Sequence, residues 1–232
     1  MQKRRVLLKI SGEAFSSDSA PLCSQRLAAI AEDIKQASDA GVQVAVVVGG
    51  GNFLRGANTS AVKRITGDQM GMLATILNGL ALRDALDEKK VPVKLYSAIE
   101  VAGIAARFDY AKAIFALEAQ RVLIFVAGTG NPFVTTDSGA SLRAIEIEAD
   151  VILKATKVDG VFDKDPKKYP DAKRYTKITF DEVLKQELAI MDLAAFCQCR
   201  DYNIQIQVFN LFKTGALLKA LLGSDEGTLV SN

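Results

Sequence analysis

The chain has 232 residues, 49 % of them apolar and 24 % charged, with a formal net charge of +2 and no histidine. That balance is globular, and so small a net charge excludes a protein that grips nucleic acid through a broadly basic face. The missing histidine removes Ser-His and Cys-His nucleophilic catalysis, so any chemistry falls to lysine, arginine, carboxylates, backbone amides or a metal. Taken in chain order, Arg5–Ile10 reads as a strand, followed by a loop to Cys23. Residues 25–40 read as a helix with Leu27, Ile30, Ile34 and Ala37 on one face, ended by Gly41. Residues 42–48 are nearly all apolar, as in a parallel strand covered on both sides. Residues 68–89 read as one long helix with Leu73, Ile76, Leu77 and Leu80 in its apolar stripe. Then come a strand at 93–96, a helix at 110–120, a buried strand at 122–126, a helix at 138–149 and a buried strand at 151–155. Residues 156–176 form a polar loop rich in lysine and aspartate. Short helices at 181–187 and 193–201, a strand at 205–209, a helix at 215–222 and a strand at 228–230 complete the chain.

This alternation predicts an α/β fold, a mainly parallel sheet with helices on both faces and right-handed crossovers. One domain is expected, with two lobes that meet near residue 150, about 1–150 and about 151–232. No apolar run approaches the roughly 18 residues of a membrane span, and the stretch from Val6 to Ile10 is too short for a signal-peptide core. The expectation is a cytoplasmic protein without membrane or nucleic-acid partners. Cys23, Cys197 and Cys199 are an odd number, which argues for free thiols rather than a disulfide framework.

Three loops carry the chemistry. Gly49-Gly50-Gly51-Asn52 follows the second strand, and consecutive glycines pack no core and cost backbone entropy. They make sense where the backbone presses against something flat and charged. In open α/β sheets that place is the carboxyl end of the strands, where phosphates bind. Lys9-Ile10-Ser11-Gly12 follows the first strand, and Ala127-Gly128-Thr129-Gly130-Asn131-Pro132 follows another. Three such loops point to more than one phosphate group, and so to phosphoryl transfer. The Walker A pattern is absent, and the first strand–helix turn lacks G-x-G-x-x-G.

Lys9, at a strand end beside flexible amides, suits a transferring phosphoryl group, although a surface lysine is the plainer reading. The planar fork of Arg55 suits a pair of phosphate oxygens; the alternative is a solvated loop arginine. Asp68, at the predicted start of the long helix, fits a simple helix cap. The segment from Thr129 to Asp137 opens onto a helix and offers an anion seat with threonine hydroxyls. Asp137 is read as a magnesium ligand, a lysine-orienting group or a plain first-turn acid. After the strand at 151–155, Thr156 and Lys157 can meet phosphate, Phe162 can lie against a base and Asp165 can accept from ribose or base donors. A phosphate acceptor explains the lack of a catalytic base: a phosphate monoester is already anionic and attacks without losing a proton.

These residues resemble the amino-acid kinase superfamily and, within it, the bacterial uridylate (UMP) kinases. The blocks that carry the resemblance are LLKISGEA from Leu7, GGGNFLRG from Gly49 and GDQMGMLAT from Gly67, with GTGNPFVTTDS from Gly128, EIEADVILKATKVDGVF from Glu146 and MDLAAF from Met191. The resemblance implies a three-layer α/β/α sandwich and transfer of the γ-phosphate of MgATP to UMP, giving UDP for pyrimidine nucleotide biosynthesis. It implies that Lys9, Ile10, Ser11, Gly12, Gly51, Arg55, Thr156, Phe162 and Asp165 bind ATP. Gly50, Asp68, Thr129, Gly130, Asn131, Pro132, Phe133, Val134, Thr135 and Thr136 bind UMP. Lys9, Arg55 and Asp137 act in catalysis, and Mg²⁺ arrives with ATP rather than on protein ligands. A homohexamer paired through the long helix, GTP activation and UTP inhibition are also implied. Two departures stand out. Gln69 occupies a position where the family often has histidine, and residues 16–21 lack the glycines that often accompany GTP control, so weak or absent GTP activation is expected here. Two rivals remain at this stage: a superfamily kinase acting on a small acid such as carbamate, acetylglutamate or aspartate, and a nucleotide-binding protein without catalysis.

Overall fold

Strands that are apolar on both sides need helices on both sides, and the chain supplies them in alternation. The computed structural model describes residues 3–54 and 61–232. In chain order the elements are β1 (Arg5–Ile10), α1 (Ser24–Asp39), β2 (Gln43–Val48), α2 (Arg64–Glu88), β3 (Val93–Ser97), β4 (Ala106–Arg107), α3 (Tyr110–Glu118) and β5 (Val122–Val126). They continue as α4 (Thr136–Glu146), β6 (Val151–Thr156), β7 (Lys177–Thr179), α5 (Phe180–Lys185), α6 (Leu193–Asp201), β8 (Gln205–Asn210), α7 (Ala216–Leu221) and β9 (Thr228–Ser231). The strands form one nine-stranded sheet in the order β4-β3-β5-β2-β1-β6-β8-β9-β7. Every neighbouring pair is parallel except β8 and β9.

Successive side chains of a strand point to opposite faces, and β1 divides the core accordingly. Val6, Leu8 and Ile10 face Ile30 and Ile34 of α1, Leu82 and Leu86 of α2, and Leu217 and Leu221 of α7. Leu7, with Ala45 and Val47 of β2, belongs to the other core with Leu117 of α3, Ala140 and Ala144 of α4, Phe180 of α5 and Phe196 of α6. The architecture is the α/β/α sandwich the sequence implied. Two helix starts are fixed by side chains: Thr135 accepts from the amide of Asp137 at α4, and Thr179 with Glu182 forms a capping box at α5.

Four expectations need correction. The long helix begins at Arg64, a full turn before Asp68, so Asp68 sits inside α2 and does not cap it. Gly67 looks like a boundary in sequence but is accommodated within the helix, its amide bonded to the carbonyl of Lys63. The apolar stripe is partly misplaced: Ile76 is buried and Leu80 packs against the core, but Leu73 and Leu77 are 55 % and 48 % exposed, and Ala74, Thr75, Asn78, Gly79 and Leu82 are buried as well. Small residues face the sheet because α2 lies close against it: a Cβ on Gly79 would stand 2.4 Å from Cγ1 of Val126. Third, α4 starts at Thr136, which places Asp137 in its first turn. Fourth, the short strands β4 and β7 and a 3₁₀ turn at Gly12–Ala14 were not expected. All three cysteines are free thiols. Among the described residues no helix is long and apolar enough to cross a membrane.

Candidate active site

The parallel strands deliver their following loops to one edge of the sheet, and the order β5-β2-β1-β6 puts the four chemistry-bearing loops side by side. The glycines there have a packing reason. A Cβ on Gly12 would stand 2.2 Å from Oδ1 of Asn52 and 2.7 Å from the amide nitrogen of Gly51. One on Gly50 would meet the carbonyl of Gly71 at 2.7 Å and Cβ of Ala74 at 2.8 Å. Gly12 and Gly50 are therefore small because the β1 loop, the β2 loop and α2 press on one another, a pressure that needs no ligand.

Lys9 and Lys154 are direct neighbours in the parallel register of β1 and β6. Asp137, from the first turn of α4, inserts between their ammonium groups. Nζ of Lys9 is 2.7 Å from Oδ1, and Nζ of Lys154 is 2.6 Å from Oδ2. All three side chains are only 12–13 % exposed. The Lys154 contact is a hydrogen bond, and the Lys9 contact is an ion pair at hydrogen-bond distance. Burial by itself pushes the Asp137 carboxyl up, but the two ammonium groups prevail and it lies below its ordinary value. Burial lowers Lys154, against the pull of Asp137. Both oxygens of Asp137 face lysine ammonium groups, and the residue also lies in the first turn of α4.

Beside this cluster lies a cavity of about 140 Å³. Gly50, Gly51, Asp68, Thr129, Asn131, Val134, Thr135 and Thr136 line it, together with Leu54, Gly67, Gly71, Met72, Thr75, Ala127 and Gly128. Thr136 precedes Asp137 in the chain, so the cavity wall runs directly into the cationic cluster. Asp68 ties this wall to α2: its Oδ2 accepts from the amide of Phe133 at 2.9 Å, and both its oxygens are 2.9 Å from Nε of Arg64. The Phe133 amide and then Arg64 hold the Asp68 carboxyl below its usual range. Thr135 is bonded to Asp192, which precedes α6.

Not every expected residue joins this cavity. Gly130, Pro132 and Phe133 belong to the same loop but are not part of its lining, and Phe133 is exposed with the Arg64 guanidinium 5.7 Å from its ring centre. The side chain of Ile10 is buried in the core, leaving only its backbone at the loop, where its carbonyl accepts from Gly49 at 2.8 Å. Ser11 opens the 3₁₀ turn, and Lys157 of the β6 loop pairs with Glu13 of the same turn. The Thr156 hydroxyl lies 2.8 Å from the carbonyl of Val158 and 3.0 Å from that of Phe209. Phe162 pairs with Arg174 in an isolated bridge, and Asp165 accepts from the amide of Lys167 at 2.9 Å. Arg55 lies outside the described residues. Cys199 stands near the cluster, but burial and then Asp137 push its thiol up to about 12, which leaves it unreactive.

Lys154 was missed as a site residue. Its signal was present: one lysine in an otherwise apolar strand, Val151-Ile152-Leu153-Lys154-Ala155, has to meet an anion.

This arrangement is that of a kinase-like α/β protein without a Walker loop, and the comparisons with known proteins agree. The amino acid kinase family matches residues 4–210, and the chain belongs to it. Among relatives, the uridylate kinase of Coxiella burnetii is 56 % identical over 230 residues, covering 98 % of this chain and 95 % of its own. That of Colwellia psychrerythraea is 53 % identical over 232 residues, covering 99 % and 94 %. The crystal structure of UMP kinase from Ureaplasma parvum superposes with a TM-score of 0.95 at 40 % identity, covering all of both chains.

Proposed function

We propose that this protein is a nucleoside monophosphate kinase that passes the γ-phosphate of MgATP to UMP and releases UDP and ADP, a step of pyrimidine nucleotide biosynthesis. The observation that carries the reading is Asp137 clamped between Lys9 and Lys154 at the end of a threonine-lined cavity. An oxygen of the UMP phosphate attacks the γ-phosphorus, and the bond to the β,γ-bridging oxygen breaks. Neither step needs a proton removed, so a site without histidine suffices.

Lys9 neutralises charge on the transferring group, and Asp137 fixes the position of its ammonium. Lys154 is added to the set as the second cation that Asp137 orders. Arg55 keeps its role as a phosphate-pairing residue. Ile10, Ser11 and Gly12, with Gly51, offer backbone and hydroxyl groups to the ATP phosphates; Thr156, Phe162 and Asp165 hold the adenosine. The segment Thr129–Thr136, with Gly50 and Asp68, holds UMP. Mg²⁺ enters as part of the MgATP substrate, bound through phosphate oxygens. Residues about 1–150 serve the acceptor and about 151–232 the donor. Ile65, Met70, Leu73 and Leu77 are exposed along α2, and this apolar face supports pairing of two copies through the long helix within a homohexamer in the cytoplasm.

The test is a coupled assay with MgATP over UMP, CMP, dUMP, carbamate, acetylglutamate and aspartate. Turnover of UMP above all the acids is expected; no turnover of UMP would defeat the proposal. In the same assay GTP is expected to change the UMP rate by less than about twofold, because residues 16–21 carry no glycine, and a several-fold rise would reject that view.

A further inference from the structure

The inner face of α2 carries two buried polar residues one turn apart, Thr75 and Asn78, and the reaction as described assigns no step to either, although Thr75 is also part of the cavity wall. Each reaches a different loop of the site. The Thr75 hydroxyl donates to the carbonyl of Met72 at 2.7 Å and accepts the amide of Ala127 at 2.6 Å. Only a hydroxyl can do both at one atom. Asn78 forms a reciprocal amide pair with Asn52 at 2.7 and 2.9 Å and donates to the carbonyl of Gly49 at 2.6 Å. One rigid helix thus grips the loop after β5 through Thr75 and the loop after β2 through Asn78. Both loops contribute to the cavity wall, Gly50 and Gly51 from one and Thr129, Asn131 and Val134 to Thr136 from the other.

Ala127 is the unusual member. It is fully buried and left-handed, at φ +63°, without being glycine. Such a conformation persists only where the surroundings hold it. Its amide is held by Thr75, and its carbonyl accepts from Gly130 at 2.9 Å, closing the turn that sends Thr129 and Asn131 to the cavity. From this geometry we propose that Thr75 is a positioning residue for the acceptor: through Ala127 it sets where the threonine-bearing wall stands relative to the glycine loop held by Asn78. The inference deepens the UMP kinase reading and rests on it.

Thr75→Val is nearly isosteric and keeps the packing while removing both bonds. It is expected to raise KM for UMP about tenfold while KM for MgATP stays within about twofold, and Thr75→Ser restores the wild-type value. General destabilisation would lower the active fraction and the melting temperature but would not single out UMP. Amide hydrogen exchange provides a second readout that needs no substrate: Ala127 is expected to exchange faster in Thr75→Val and at the wild-type rate in Thr75→Ser. A KM change shared equally by both substrates, or unaltered exchange at Ala127, overturns the inference. Wild-type protein that fails to turn over UMP sinks the kinase reading instead, and the exchange comparison still decides whether Thr75 holds the wall.

Discussion

Lys9→Ala is expected to lower kcat by about 10²–10³ while leaving UMP affinity within about twofold. The split follows from where Lys9 stands. Its ammonium lies against Oδ1 of Asp137, the residue after cavity-lining Thr136, and Lys9 is not among the residues lining the cavity. The threonines, the glycines and Asp68 proposed to hold UMP are therefore left in place. What is lost is a desolvated cation beside the phosphoryl group, and such a charge counts most where charge moves between two phosphates. The fold should survive, because Asp137 keeps its hydrogen bond to Lys154 at 2.6 Å. Steady-state rates with UMP and MgATP, beside calorimetric titration of UMP, measure the two quantities separately. Wild-type turnover in the variant would remove Lys9 from the mechanism.

Asp137→Asn is expected to do more, because it strikes stability and chemistry together. Two ammonium groups that are 12–13 % exposed would be left with no carboxylate between them, only mutual repulsion. Removing one member of a buried ionic cluster costs about 3–5 kcal/mol. For a chain of this size that lowers the melting temperature by about 6–20 °C. Turnover should also fall, by about 10² or more, since Lys9 and Lys154 lose the group that spaces them. The pH dependence has a definite sign. The Asp137 carboxyl lies below its unfolded value of 3.8 in the folded chain. Its contribution is therefore complete above that value and is lost as pH falls through the folded one. Urea midpoints of wild type and Asp137→Asn should differ most near neutral pH and converge in acid. A constant gap from neutral pH into acid would show that the carboxylate charge is not what stabilises the cluster.

The sequence was most informative where one residue type had one physical job. The bounds of β1, β5 and α6 matched because their apolar runs end in polar or glycine-bearing loops. That the loops after β1, β2, β5 and β6 share one edge of the sheet was also legible, since each follows a strand of a parallel sheet. What stayed hidden depends on neighbours. Strands β4 and β7 have two and three residues and exist only because β3 and β9 pair with them. The buried side of α2 could not be found by counting leucines, because Ala74 and Gly79 face a sheet too close for larger residues while Leu73 and Leu77 point outward. Lys154 was visible as a charge in an apolar strand, but its pairing with Asp137 needs the register of β1 against β6. Thr75 and Asn78 read as ordinary polar residues in a helix until the loops they hold are placed.

The most direct measurement is a crystal structure of the protein with UMP and a non-hydrolysable ATP analogue bound with Mg²⁺. The account predicts the UMP phosphate in the cavity walled by Gly50, Gly51, Thr129, Asn131, Thr135 and Thr136, facing a γ-phosphate that contacts Nζ of Lys9. A structure with the nucleotides held at separate surfaces, and neither phosphate near Lys9 or Lys154, would contradict it.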